Sequence, residues 1–380
     1  MQIFVPCERA AGEARVAATP ETVHRLVERG HHVTVERAAG ARAHFTDEAY
    51  ERAGARVARH SGEAWRADAI LKVRAPAEAE VDAMAEGALL VAFCAVHDDL
   101  ELARRLRDRR ISALAMELIP RVTRAQAMDA LSSQAAIAGY KAALVAAGHL
   151  DKQLPLSMTA AGTIHPARVV VLGAGVAGLS ALATCRRLGA MVEVSDVREE
   201  TKEQVESLGG RFVELPLRES GAADGGYARA LREDEQAAHR AVVADRIAAA
   251  DAVITAALVP GRRAPRLIDE ATALRMRPGA VIVDLAVASG GNCEVSVLGE
   301  TVVRHGVIVV GHPNLPATVP MDASVLYARN VLALLEHVAP RGELAIDPSD
   351  EITGAALLTH GGEVLHAPTR AALLERGGAS

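Results

Sequence analysis

The chain has 380 residues, enough for two substantial domains. Half of them are apolar but only 2% are aromatic, so the cores must be assembled from Ala, Val, Leu and Ile. A net charge of −6 argues against a nucleic-acid partner held through its phosphates, and no apolar run reaches the roughly 20 residues of a bilayer-spanning helix, so no direct membrane insertion is expected.

The N-terminal MQIFVPCERA leads straight into a strand and is not read as a signal peptide. Cys7, Cys94, Cys185 and Cys293 lie far apart, with no CxxC or metal-ligand spacing. They read as reduced, buried thiols of a cytoplasmic protein, and no metal site is expected. Short apolar strands at residues 2–5, 32–35, 69–73, 88–93 and 111–115 alternate with helical patterns such as 20–28 and 100–108. That alternation predicts a parallel sheet covered by helices on both faces. An Ala-rich stretch with few breakers at about 124–147 reads as a connecting helix. It separates an N-terminal domain (residues 1–130, rejoined by 311–380) from a second domain at residues 131–310.

The second domain opens on RVVVLGAGVAGLSALATCRRLGAMVEVSD, residues 168–196. A buried strand is followed by Gly173-Ala-Gly175-Val-Ala-Gly178, an apolar helix, another strand and Asp196. Gly173 permits the tight turn, and Gly175 lets the backbone approach a pyrophosphate. Gly178 lets the helix pack closely on the strand, and the helix start at Val176 and Ala177 offers unpaired N–H groups. Asp196, about 20 residues on, is placed to accept both hydroxyls of an adenosine ribose and to repel a 2′-phosphate, which favours NAD(H) over NADP(H). Arg198 is positioned to weaken that discrimination. Further strands at 211–215, 251–255, 280–285 and 307–310 complete a second sheet. The expected architecture is therefore α/β, two doubly wound, Rossmann-like parallel-sheet domains separated by a cleft that takes the dinucleotide. Residues 216–232 are polar and glycine-rich. They read either as a solvated surface loop or as a lid closing on nucleotide, with Tyr227 as its contact. A helical pattern at 324–337 carries the chain back to the first domain, and two short runs around His360-Gly361-Gly362 signal a hairpin.

Six phrases carry a family resemblance: PRVTRAQAMDALSSQAAIAGYKA, TAAGTIHPARVVVLGAGVAGL, DVREETKEQVESLGG, GGYA, ALVPGRRAP and VIVDLAVASGGNCE. The chain resembles the NAD(H)-binding component (the first portion of the alpha subunit) of the proton-translocating, Si/Re-specific NAD(P) transhydrogenases, from its N-terminus through the tail hairpin. The resemblance implies that Arg121, Asp129 and Ser132 hold the nicotinamide of NAD(H), and that Gln126 reaches toward NADP(H) on a partner subunit. It places further nucleotide contacts on Val197, Arg198, Ala257 and Leu258, and matches Tyr227 to a mobile-loop tyrosine. His165 stands where relatives usually carry proline and reads as structural. The resemblance further implies a homodimer that associates with NADP(H)-binding and membrane-spanning subunits. That would make it cytoplasmic and peripheral to the inner membrane through those partners. The chain ends after the hairpin tail, so those regions are expected on separate polypeptides.

More distantly, the chain is similar to alanine dehydrogenases, which share the two-domain fold. Arg15 and Lys72 match positions that bind pyruvate there, but the transhydrogenase component shares both. The dehydrogenases place a catalytic histidine at or near Ala95 and an aspartate at Ala288, and His97 would need a shifted register to serve. Oxidising an amino acid needs a general base, whereas hydride exchange between two nicotinamides needs none. The residues therefore favour transhydrogenase chemistry. A regulatory NAD(H)-binding module without catalysis is disfavoured by the loop carrying Arg121, Gln126 and Asp129.

Overall fold

The structure, a computed structural model, describes residues 1–60, 62–215, 233–259, 261–340 and 342–377. The chain divides into two compact units, Met1–Gln134 with Ala317–Ser380, and Ala135–Pro316. In the first, β1 (Gln2–Val5), β2 (His32–Glu36), β3 (Arg56–Ala58), β4 (Ala69–Leu71), β5 (Leu89–Ala92) and β6 (Ser112–Ala115) pair in parallel. Their order is β3-β2-β1-β4-β5-β6. Successive side chains leave opposite faces of each strand, so one face sends Ile3, Val5, Leu89 and Val91 into one core layer. The other sends Phe4, Leu90 and Ala92 into a second. A sheet covered on both faces must be apolar on both, hence strands such as LLVA with no alternation.

The second unit opens within the helix Ala130–His149, followed by a small antiparallel hairpin, β7 (Ser157–Thr159) and β8 (Gly162–Ile164). Its main sheet comprises β9 (Arg168–Leu172), β10 (Met191–Ser195), β11 (Arg211–Phe212), β12 (Ala252–Thr255), β13 (Val281–Asp284), β14 (Thr301–Arg304) and β15 (Val307–Val310). The order is β11-β10-β9-β12-β13-β15-β14, with β14 antiparallel at the edge. The order reverses between β9 and β12, and the carboxyl ends of two such strands are where a doubly wound sheet opens to a ligand. Val169 and Val171 pack into one layer, Val170 and Leu172 into the other. The chain then returns to the first unit, where β16 (Leu357–His360) joins β6 antiparallel and turns at Gly361-Gly362 into β17 (Glu363–Val364).

The structure refines the sequence reading in three places. Both sheets are parallel with antiparallel additions at an edge, not wholly parallel. The edge strands β3 and β14, which lie outside the strands expected from the sequence, carry only two apolar residues each and are partly exposed. The connecting helix does not begin at 124: residues Thr123–Met128 form a 3-10 turn, and the α-helix runs from Ala130 to His149. Asp129 lies between them with φ −72° and ψ 85°, outside the helical region. Its carboxylate accepts the backbone N–H of Ser132 at 2.9 Å, which makes it the N-cap of the helix that follows. Among the described residues no helix is long and apolar enough to cross a membrane.

Candidate functional site

The strand RVVVL is buried at its last four positions and delivers Gly173 to the point where the sheet order reverses. Gly173 has φ +105° and donates its N–H to the Ser195 carbonyl at 2.8 Å. A Cβ there would lie 3.0 Å from the Ala256 carbonyl of the neighbouring loop. A Cβ on Gly178 would lie 1.8 Å from the Gly173 carbonyl oxygen. Packing within the chain therefore demands glycine at 173 and 178. Gly175 is different. Its φ is −75°, and a Cβ there would meet nothing within 4 Å. The folded chain sets no requirement for glycine at 175, so the space in front of it suits a ligand that approaches the backbone.

Gly175 is also the N-cap of the helix Val176–Arg187 and supplies no side-chain cap. The first N–H groups of that helix are thus open to an anion, in a field made favourable by the aligned peptide dipoles. Arg186 and Arg187 complement the opposite end. The position of this helix depends on a glycine that the sequence reading missed. A Cβ on Gly139 would fall 1.9 Å from the Ala177 carbonyl oxygen, so only glycine lets the helix Ala130–His149 come this close. Ser180 Oγ donates to the Ala136 carbonyl at 2.7 Å across the same crossing.

Asp196 follows β10 and is only 7% exposed. Its Oδ2 accepts the Ala174 N–H at 2.6 Å, and its Oδ1 accepts the Arg198 N–H at 2.8 Å. The Arg198 guanidinium spans both oxygens, Nε to Oδ1 at 2.9 Å and Nη2 to Oδ2 at 2.8 Å. That hydrogen-bonded pairing raises the guanidinium's already high pKa further. Val197 is half-buried between them. After β12 the loop carries half-buried Ala257 and exposed Leu258. Fully buried Asn292 clamps this loop: Ala257 N–H donates to its Oδ1 at 3.1 Å, and its Nδ2 donates to the Ala257 and Pro265 carbonyls at 2.9 and 2.8 Å. Below it, Asp284 at the end of β13 accepts the Thr255 hydroxyl and the N–H groups of Ala286, Asn292 and Cys293. Burial pushes the Cys293 thiol up to about 11, so it is a neutral packing group. Asn292 lies within the phrase VIVDLAVASGGNCE, but no local pattern shows that its amide reaches residue 257.

Asn292→Ala should strip three hydrogen bonds from the half-buried backbone of Ala257 and Pro265, each worth about 1 kcal/mol. The expected result is a melting temperature lower by several degrees and several-fold weaker dinucleotide binding, read by thermal unfolding and fluorescence titration. Unchanged affinity in a folded variant would show that the loop holds its place without Asn292.

The remaining expected site residues belong to the first unit. Arg121 and Gln126 are exposed, whereas Asp129 and Ser132 are half-buried. Asp129 Oδ2 accepts the Ser132 hydroxyl at 2.6 Å, in addition to the capping bond on Oδ1. Asn330, unmarked in the sequence reading, fastens the segment: its Nδ2 donates to the Ala127 carbonyl at 2.8 Å, and its Oδ1 accepts the Ser133 hydroxyl at 2.7 Å. Tyr227 and the loop at 216–232 lie outside the described residues.

At the positions that the resemblance matches to alanine dehydrogenases, the structure shows the following partners. Buried Arg15 donates Nε and Nη2 to Glu13 at 2.8 and 2.6 Å, and Nη1 to Gln134 at 2.8 Å. Buried Lys72 lies 3.2 Å from Glu80 and 3.5 Å from Glu8. Burial raises the Glu8 carboxyl above its usual range. Both cations are thus matched by internal carboxylates. Ala95 sits in a left-handed turn with φ +52°. Half-buried Glu117 accepts the flanking N–H groups of Cys94 and Val96, which resists a register shift. His97 is exposed, with its ring 5.8 Å from that of His366. Ala288 is exposed in a 3-10 turn.

Two domain families account for nearly the whole chain: alanine dehydrogenase/PNT, N-terminal domain, over residues 4–138, and alanine dehydrogenase/PNT, C-terminal domain, over residues 142–367. The chain belongs to the alanine dehydrogenase/PNT family. The first portion of the NAD(P) transhydrogenase alpha subunit of Rhodospirillum rubrum is 44% identical over 376 residues, covering 96% of this chain and 98% of the relative. A transhydrogenase structure from Sinorhizobium meliloti superposes with a TM-score of 0.87 at 43% identity, over 96% of this chain and 100% of that one. An L-alanine dehydrogenase structure superposes with 0.84 at 29% identity, over 99% of each chain. Both branches of the family thus share this fold. In sequence this chain is nearer to these transhydrogenases than to that alanine dehydrogenase.

Proposed function

We propose that this chain is the NAD(H)-binding subunit of a proton-translocating NAD(P) transhydrogenase. The observation that carries the reading is the dinucleotide cradle, in a chain to which the resemblance gives alanine at or near the catalytic histidine of alanine dehydrogenases (Ala95) and at their aspartate (Ala288). The transhydrogenase relatives support the same reading. The backbone at Gly173, Gly175 and Gly178, with Val176 and Ala177, receives the pyrophosphate at the start of its helix. Asp196 and Val197 take the adenosine ribose, with Arg198 beside them at the edge of the same subsite, and Ala257, Leu258 and Tyr227 line the nucleotide. Arg121, Asp129 and Ser132 fix the face of the nicotinamide through paired donors and acceptors. Gln126 reaches toward the nucleotide of an NADP(H)-binding partner subunit. When bound, the dinucleotide supplies or accepts the hydride; these residues only orient it and keep water out, since exchange between two nicotinamides moves no proton. Proton translocation belongs to membrane-spanning partner subunits, beside which a homodimer of this chain works as a peripheral component.

The test is NADH-dependent reduction of an NAD⁺ analogue by the purified chain mixed with an NADP(H)-loaded transhydrogenase domain. Turnover that requires both proteins is expected, with no NADH oxidation on addition of pyruvate and ammonia. The reverse pattern would assign the chain to the alanine dehydrogenases, whose pyruvate-binding Arg and Lys it retains as Arg15 and Lys72.

A further inference from the structure

We propose that Arg198 is a specificity-determining residue that occupies the Asp196 carboxylate as an internal competitor until an adenosine ribose displaces it. This rests on the dinucleotide reading above and concerns its ribose subsite. A carboxylate offers about four acceptor positions. At Asp196 all four are taken: Oδ1 by the Arg198 N–H and Nε, Oδ2 by the Ala174 N–H and Arg198 Nη2. The two backbone donors are built into the turn after β9 and the segment after β10, and hold the carboxylate in a fixed orientation. The other two donors come from one flexible side chain. A vicinal diol needs two acceptor positions, and the only ones that can be vacated are those held by the guanidinium. Ribose binding and the Arg198–Asp196 pair are therefore mutually exclusive. The pair is bidentate and charge-assisted, with both side chains largely buried (13% and 5% exposed), so the competition is not screened away by solvent.

The displaced guanidinium remains within reach of the 2′ position, because its backbone N–H stays tied to Oδ1. There it would meet a 2′-phosphate with complementary charge and fork geometry. Arg198 therefore has opposite effects on the two dinucleotides: it competes against NAD(H) and reduces the rejection of NADP(H) that Asp196 alone would impose.

Fluorescence titrations with NADH and with NADPH, on the wild-type chain, Arg198→Ala and Arg198→Lys at one ionic strength, test this. Arg198→Ala should bind NADH more tightly, on the order of tenfold, and NADPH more weakly. Arg198→Lys, which cannot span both oxygens, should lie between wild type and alanine for NADH. Melting temperatures confirm that each variant is folded. NADH binding unchanged or weakened in folded Arg198→Ala would overturn the competitor role while leaving the dinucleotide site in place. A wild-type chain that binds neither dinucleotide would remove the site itself, and this role with it.

Discussion

Gly178→Ala is expected to lose dinucleotide binding and some of its stability together, whereas Gly175→Ala should lose binding alone. At 178 the new methyl would sit 1.8 Å from the Gly173 carbonyl oxygen. Backbone stands on both sides, so no rotamer change relieves the overlap, and strand and helix must separate. Overpacking of this kind costs about 1–3 kcal/mol, which lowers the melting temperature by several degrees and moves the helix N-terminus away from the turn. At 175 the methyl meets nothing in the chain, and φ is an ordinary −75°. It would project into the space assigned to the pyrophosphate, so affinity should fall on the order of 100-fold, about 2.7 kcal/mol, at an unchanged melting temperature. Paired thermal unfolding and NADH titration separate the two. If Gly175→Ala binds NADH normally, the open space at 175 is not where the phosphates lie.

The second large effect is kinetic. Arg121→Ala and Asp129→Asn should slow hydride transfer by about 100-fold or more, some 2.7 kcal/mol in the barrier, while NADH affinity falls much less. Asparagine is the informative replacement at 129. The carboxylate caps the helix Ala130–His149 through the Ser132 N–H, and asparagine is an equally good N-cap. The exchange therefore keeps the helix start and removes the charge, and with it the acceptor of the Ser132 hydroxyl at 2.6 Å. Single-turnover rates with an NADP(H)-loaded partner domain, set beside equilibrium NADH titrations, give both quantities. Equal losses in rate and affinity would make this segment a binding element without a role in orienting the nicotinamide.

Much of the nucleotide-binding unit was readable from the chain in order, because its requirements are local. A short run of four apolar residues in RVVVL, three of them β-branched and closed by glycine, reads as a strand buried on both faces, and three glycines at fixed offsets, an apolar helix and a second strand follow within thirty residues. The doubly wound fold follows from the same alternation repeated along the chain. The tertiary structure decided what depends on residues far apart in sequence. It separated Gly175, which no contact in the protein requires, from Gly173 and Gly178, which packing requires. It brought Gly139 against Ala177, Asn292 around Ala257 and Asn330 onto Ala127. It also moved the start of the predicted connecting helix from 124 to just after Asp129, since alanine-rich composition reports helix propensity but not the backbone angles that a capping carboxylate selects. Arg198 could be read from sequence as a charge near the ribose. Only the fold shows it filling the acceptor positions of Asp196, because hydrogen-bond saturation is a property of directions and distances, and a one-dimensional pattern carries neither.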